Sequence, residues 1–176
     1  MLRAIATCVL LSAVFIVAVP MDQASSPTTI SYRGDLATMT RAAPYQVLAP
    51  AGLPRSWSPV NSGVAVGGAN GPGTVTWRLG FATPSGTFAA LEETNAAAGP
   101  FIWRMTNFGT PRPPVTIGGR TWRASVDPGR GGNGQRSLAV TTAAGVTLVV
   151  TGNSSWAQLR TLAASLRPQP AHATAS

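Results

Sequence analysis

The chain has 176 residues and a formal net charge of +8, with 44% hydrophobic but only 10% charged residues, against roughly 25% charged residues in an average soluble domain. That length allows one domain with short extensions, and the scarcity of charge leaves Ser, Thr, Asn, Gly and Pro to build the surface. The only cysteine is Cys8, so the rest of the chain has no disulfide, no CxxC zinc site and no thiol nucleophile.

Residues Ala4 to Val19 read AIATCVLLSAVFIVAV, an uncharged run close to the lower length limit of about 17–25 residues for a membrane-spanning helix. The competing reading is a cleaved signal peptide, whose apolar region is only about 7–15 residues. Cleavage needs small residues at the −3 and −1 positions, and Val19, Pro20 and Met21 follow the run. The nearest candidate, Ala24, has Asp22 at −3. Cys8 cannot be a lipid-modification site, because the apolar stretch lies after it. The segment therefore reads as an uncleaved signal anchor. Arg3 before it and Asp22 after it place the N-terminus inside and the domain outside.

Next come a polar spacer (DQASSPTT, residues 22–29) and a short helix over Asp35–Ala43 with Asp35 near its N-cap. Four prolines in residues 43–60 predict an extended, turn-rich approach to the domain. In TVTWRLGFAT, residues 74–83, Val75, Trp77, Leu79 and Phe81 alternate with smaller or polar residues, the period of a half-buried strand. Pro84-Ser85-Gly86 makes a turn, and residues 87–94 return as a second strand. Phe101, Met105 and Phe108 share a helical face, so residues 99–109 predict a short helix with Pro100 at its first position and Gly109 at its end.

Two hairpins follow: residues 115–117 with 120–126 around Gly118-Gly119, and 138–142 with 146–151 around Ala144-Gly145. Ser155 and Gln158 are spaced as a capping box. They open a helix whose apolar stripe is Trp156, Leu159, Leu162, Ala163 and Leu166, ended by Pro168. The remaining tail reads as disordered.

The chemical motifs are weak. Gly129-Arg-Gly131-Gly-Asn-Gly134 matches G-x-G-x-x-G, yet a dinucleotide site needs that loop to open a helix, and a strand pattern follows. It reads as a hairpin loop. His172, the only histidine, lies in the tail, which argues against a Ser-His-Asp site, and with no lysine among the 13 cations there is no Ser-Lys dyad. All-arginine cations with abundant Ala, Gly and Pro point to a GC-rich bacterial genome. Glu92 and Glu93 are neighbours on a strand and face opposite ways. Glu92 with Asp127 would form a glycosidase couple only at about 5–10 Å. No cluster of residues suggests a metal, and no cofactor is expected.

By strand parity, Arg78 and Arg123 point away from the faces carrying Trp77 and Trp122. Arg104 and Arg112 can join them. Arg78, Arg104 and Arg123 are thus a candidate cationic contact face for anionic lipid, an acidic wall polymer or another envelope protein. A solvated sheet face is the plainer account. The arginines are scattered, which argues against nucleic acid. Trp77, Trp122 and Trp156 fall on apolar faces and read as core, while Trp57 and Trp103 are less constrained. The glycosylation sequon Asn153-Ser-Ser155 is explained by helix capping.

APYQVLAPAGLP (residues 43–54), Trp57, WRLGFATPSGTFAALEE (residues 77–93) and Gly119-Arg-Thr-Trp122 together resemble the actinobacterial membrane-anchored domain of unknown function family 4245. The resemblance implies an N-terminal membrane segment, a Pro-rich lead-in, a hairpin ending near "LE", a "G..W" strand and a C-terminal helix. It implies no activity. Glu93 departs from the Gln more usual in that family, and the loop at residues 129–134 looks like a local insertion.

The expected fold is α+β: an antiparallel sheet of about six to eight strands with short helices and a C-terminal helix packed on one face, preceded by one N-terminal transmembrane helix. The expected organisation is an anchor at residues 1–21, a spacer at 22–34, a domain at 35–167 and a tail at 168–176. The leading functional expectation is a non-enzymatic envelope interaction module on the outer side of the cytoplasmic membrane. The rivals are a binder of a lipid or other amphiphile between sheet and C-terminal helix, and an envelope enzyme of unrecognised type.

Overall fold

The computed structural model describes residues 28–129 and 134–170. The expected anchor, most of the glycine-rich loop and His172 lie outside the described residues. Within them, no helix is long and apolar enough to cross a membrane.

The strand patterns assemble into one antiparallel sheet. Its members are β2 (Ser58–Val66), β3 (Val75–Ala82), β4 (Phe88–Thr94), β5 (Thr110–Ile117), β6 (Arg120–Asp127), β7 (Gln135–Thr141) and β8 (Thr147–Gly152). The seven run in the order β2-β3-β4-β8-β7-β6-β5. A second sheet pairs β1 (Leu48–Pro50) with β9 (Leu166–Pro168). Three helices complete the described fold: α1 (Arg33–Ala42), α2 (Ala98–Met105) and α3 (Trp156–Ser165).

Side chains alternate across a strand, so the sheet has two unlike faces. One carries Trp77, Leu79, Leu91, Leu138 and Leu148, all fully buried. This face meets α1, α3 and the small sheet, which together form the main core. On the other face a register row runs Arg78, Glu92, Val149, Ala139, Arg123. Helix α2 lays Phe101 on Val149 and Ala139 as a small second cluster.

The α+β expectation holds at this level: a seven-stranded antiparallel sheet, three helices and a C-terminal one against the sheet. Several details differ. The region expected to be only extended contains β1 and the start of β2, because a proline-rich segment can still pair along an edge. Helix α1 starts at Arg33 after Tyr32, so Asp35 sits in its first turn instead of at the cap. Helix α2 starts at Ala98 and stops at Met105. Phe108 therefore leaves the helical face expected of it and is 63% exposed. Helix α3 ends at Ser165, before Leu166, which turns extended to enter β9. Pro168, assigned by sequence to the tail, pairs with Leu48, and the Gln169 N–H donates to the Val47 carbonyl at 2.8 Å.

Candidate functional site

The arginines expected to form one contact face are placed unevenly. Arg78 and Arg104 line a cavity of about 370 Å³ beside α2, walled by Phe88, Met105, Gln135 and Asn153 and holding Glu92. Arg123 lines a separate cavity of about 290 Å³ on the other flank of α2, with Ile102, Trp103 and Arg112. Each has a local reason for its position. Arg78 and Arg123 are exposed positions on strands whose flanking residues are buried, and Arg104 lies in the last turn of α2. Arg104 Nη2 donates to Asn70 Oδ1 at 2.8 Å.

Glu92 is the unusual member of the first cavity. The residue is only 3% exposed. Arg78 Nε lies 2.9 Å from Glu92 Oε1, yet that buried oxygen has no hydrogen-bond partner. The pair is therefore a close charge contact without hydrogen-bond alignment, and Arg78 screens Glu92 only in part. Burial pushes the Glu92 carboxyl up to about 7, against the lowering effect of Arg78. A carboxyl at that value can hold or release a proton near neutrality.

Glu93 faces the opposite way, into the core, as strand alternation requires. It is fully buried, and both its oxygens accept from the Leu48 N–H, at 3.1 and 3.2 Å. Burial pushes this carboxyl up to about 8, opposed by the Leu48 hydrogen bond. It ties β1 to β4. Beside it, the Tyr45 hydroxyl is buried without a partner, and burial together with Glu93 raises its pKa. Asp127 is not part of the Glu92 cavity. Hydrogen bonds from the Gly129 N–H and the Asn107 amide hold its carboxyl below the ordinary value.

A third cavity, about 490 Å³, lies between α3 and the sheet. Arg112 of β5, Arg136 of β7 and Arg160 of α3 line it, with Pro113, Pro114, Val115 and Trp156. The local reasons are clear. Arg160 stands one turn after Trp156, on the same side of α3. Arg136 stands two residues before Leu138, so parity turns it to the helix-covered face, where Arg136 Nη1 donates to the Ser154 carbonyl at 3.2 Å. Arg112 opposes Ala124 just before a bulge in β5. Among the described residues the one ion pair is Arg78–Glu92, so no carboxylate neutralises these three cations. Trp156, expected to be core, packs against the core but is only partly buried and forms the wall of this cavity.

Sequence reading did not single out Arg136 and Arg160. The signals were present: an arginine in phase with Leu138, and another four residues after Trp156. What was missing was the neighbour relation between α3 and β5–β7. Trp57, less constrained by sequence, is 7% exposed, whereas Trp103 is 66% exposed. Among the described residues no three His, Cys, Asp or Glu side chains gather as a metal-binding group.

One family profile, described as Protein of unknown function (DUF4245), matches residues 1–166. No curated protein and no solved structure matches the chain.

Proposed function

The chain belongs to the DUF4245 family, a membership that carries no activity with it, and on that premise we propose a non-enzymatic, membrane-tethered binding module of the cell envelope. Its ligand is an acidic amphiphile seated between α3 and the sheet. One observation carries this reading: Arg112, Arg136 and Arg160 line one cavity with Trp156 and two prolines, with no carboxylate paired to any of them among the described residues. Uncompensated arginines beside an apolar wall fit a molecule with an anionic head and an apolar body. Guanidinium groups hold phosphate or carboxylate oxygens in a planar fork, and the aromatic wall supplies contact area. The volume, about 490 Å³, suits one headgroup with the start of a chain. The tether is the apolar run at residues 4–19, with the domain on the outer side. This form of the module ranks ahead of one that docks only another protein.

Native mass spectrometry of the full-length protein, gently extracted from its own membrane, tests the proposal. The expected result is an intact chain carrying a stoichiometric small adduct with a lipid or wall-polymer mass, either of which identifies the acidic source. The adduct is expected to disappear when Arg112 and Arg160 are both changed to Gln. A bare mass, or an adduct indifferent to those changes, overturns the reading.

A second reading, an envelope enzyme of unrecognised type, draws on Glu92 beside Arg78 and Arg104 in the other cavity. A carboxyl near 7 is suited to general acid–base work. That reading requires a turnover whose pH profile breaks near 7 and vanishes in Glu92→Gln.

A further inference from the structure

The turn between α2 and β5 is built to hold two aromatic rings in solvent. Trp103 is 66% and Phe108 63% exposed, and the rings pack edge to face with centroids 4.9 Å apart. Asn107 and Phe108 both take left-handed backbone angles, φ 50° and 54°. Neither is glycine, and such strain persists only where the surroundings over-determine it. Here they do. The Phe108 N–H donates to the Trp103 carbonyl at 3.1 Å and the Gly109 N–H to the Thr106 carbonyl at 3.0 Å. The Asn107 amide donates to the Asp127 carboxylate. Gly109 lies so close to β6 that a Cβ there would come within 2.9 Å of the Val126 backbone. The chain thus spends backbone strain to keep Phe108 off the helix face that would have buried it.

Arginines surround this pair. Arg112 and Arg123 share a cavity with Trp103, whereas Arg104, its sequence neighbour, reaches Asn70 and lines the cavity on the other flank of α2. Neither Arg112 nor Arg123 has a carboxylate partner among the described residues. Asp127, held by Asn107, is the acid at this turn, so the patch is cationic on balance.

The register places this patch at one particular end of the sheet. Thr110, two residues after Phe108, begins a row that runs through Val126, Arg136, Gly152, Ala89 and Phe81 to Pro59. At the far edge of that row the Ile30 N–H donates to the Pro59 carbonyl at 2.8 Å. The N-terminal approach and the aromatic pair therefore lie at the same end, on opposite edges. Six strand steps separate the edges, about 29 Å at a spacing of about 4.8 Å. From Val19 to Ile30 the chain has 30 − 19 = 11 steps, a reach of up to roughly 36–40 Å.

We infer that this end of the sheet docks on an anionic lipid surface, with Trp103 and Phe108 entering the interfacial layer and Arg112 and Arg123 meeting the headgroups. Aromatic rings favour that layer, and arginines near an anionic leaflet are drawn to it. Arg112 also lines the cavity beneath α3, so docking at this end brings that cavity toward the bilayer. The inference rests on the tethered reading above for its orientation, while the aromatic and cationic patch stands on its own geometry.

The test uses full-length protein in lipid nanodiscs containing brominated phosphatidylglycerol. Tryptophan emission is compared between the unaltered chain and Trp103→Phe. The expected result is a quenched component that Trp103→Phe removes. It weakens in discs of phosphatidylcholine alone and weakens when Arg112 and Arg123 are changed to Gln, by roughly fivefold in partition per arginine. Equal quenching with and without Trp103 overturns the inference, as does shielding of Trp103 from aqueous iodide together with no quenching by bromolipid, which would mean a protein occupant. A chain that elutes apart from the discs refutes the tether instead. In that case flotation with phosphatidylglycerol vesicles decides the docking, which fails if Phe108→Ser with Trp103→Ser floats as well as the unaltered chain.

Discussion

Neighbouring glutamates on one strand meet opposite environments, yet both are made reluctant to ionise. Glu92 lies at the floor of a polar cavity and Glu93 in the core, and burial raises them to about 7 and about 8 from an ordinary 4.5. The sign of the consequence follows from proton counting. Between about pH 4.5 and 8 the native chain holds protons that the unfolded chain has lost. Stability therefore falls as pH rises through that window and levels off above it. A loss on the order of 3 kcal/mol or more is expected between pH 5 and pH 8. Urea titrations at a series of pH values measure it, and Glu92→Gln and Glu93→Gln should each flatten the slope. A pH-independent midpoint would mean that both carboxylates are better compensated than their surroundings indicate. The opposite orientation of the two was legible from strand parity. Their burial was not, because it depends on α2 covering one and β1 covering the other.

Among the elements, those specified by short-range rules came out as the sequence implies. The Ser155 capping box is present, with the Gln158 N–H donating to Ser155 Oγ at 3.3 Å and the Ser155 N–H donating to Gln158 Oε1 at 3.1 Å. Ser155→Ala is expected to cost about 1 kcal/mol, read as a lower urea midpoint with unchanged slope. The hairpins β3–β4, β5–β6 and β7–β8 fall where the alternation and glycine turns put them. The misreadings cluster where an element is made by a distant partner. β1 and β9 have only three residues each and no pattern of their own. They exist because Leu166 leaves α3 beside Pro50. Phe108 fits a helical period but is excluded from the helix by the turn locked between Gly109 and β6. At the β4–β8 junction, Gly152 passes so near the Phe88 carbonyl that a Cβ would collide with it, a requirement no local pattern announces.

Across the whole molecule, the small sheet acts as a clasp. β9 holds β1 in place, and β1 supplies the Leu48 N–H that lies on Glu93. Truncation after Ser165 is expected to lower the urea midpoint and also to shrink the pH dependence above, since Glu93 would regain water. A truncated chain that keeps the full pH slope would show that Glu93 stays buried without the clasp. The same global arrangement sorts the cations. Arg112, Arg136 and Arg160 come from β5, β7 and α3, remote in sequence, and converge only because α3 crosses the β5–β7 end of the sheet.

The sequence by itself determined the α+β class, the hairpins, the capped C-terminal helix and the family. These follow from periodicity, turn residues and composition, which act over a few positions. Only the tertiary structure decided which arginines share a cavity, that Arg123 is parted from Arg78 and Arg104 by α2, and that Trp103 and Phe108 stand in solvent while Trp57 is buried. Each of these depends on which elements become neighbours. That choice is made by the summed burial of the whole chain against its conformational entropy, and no local stretch of residues contains it.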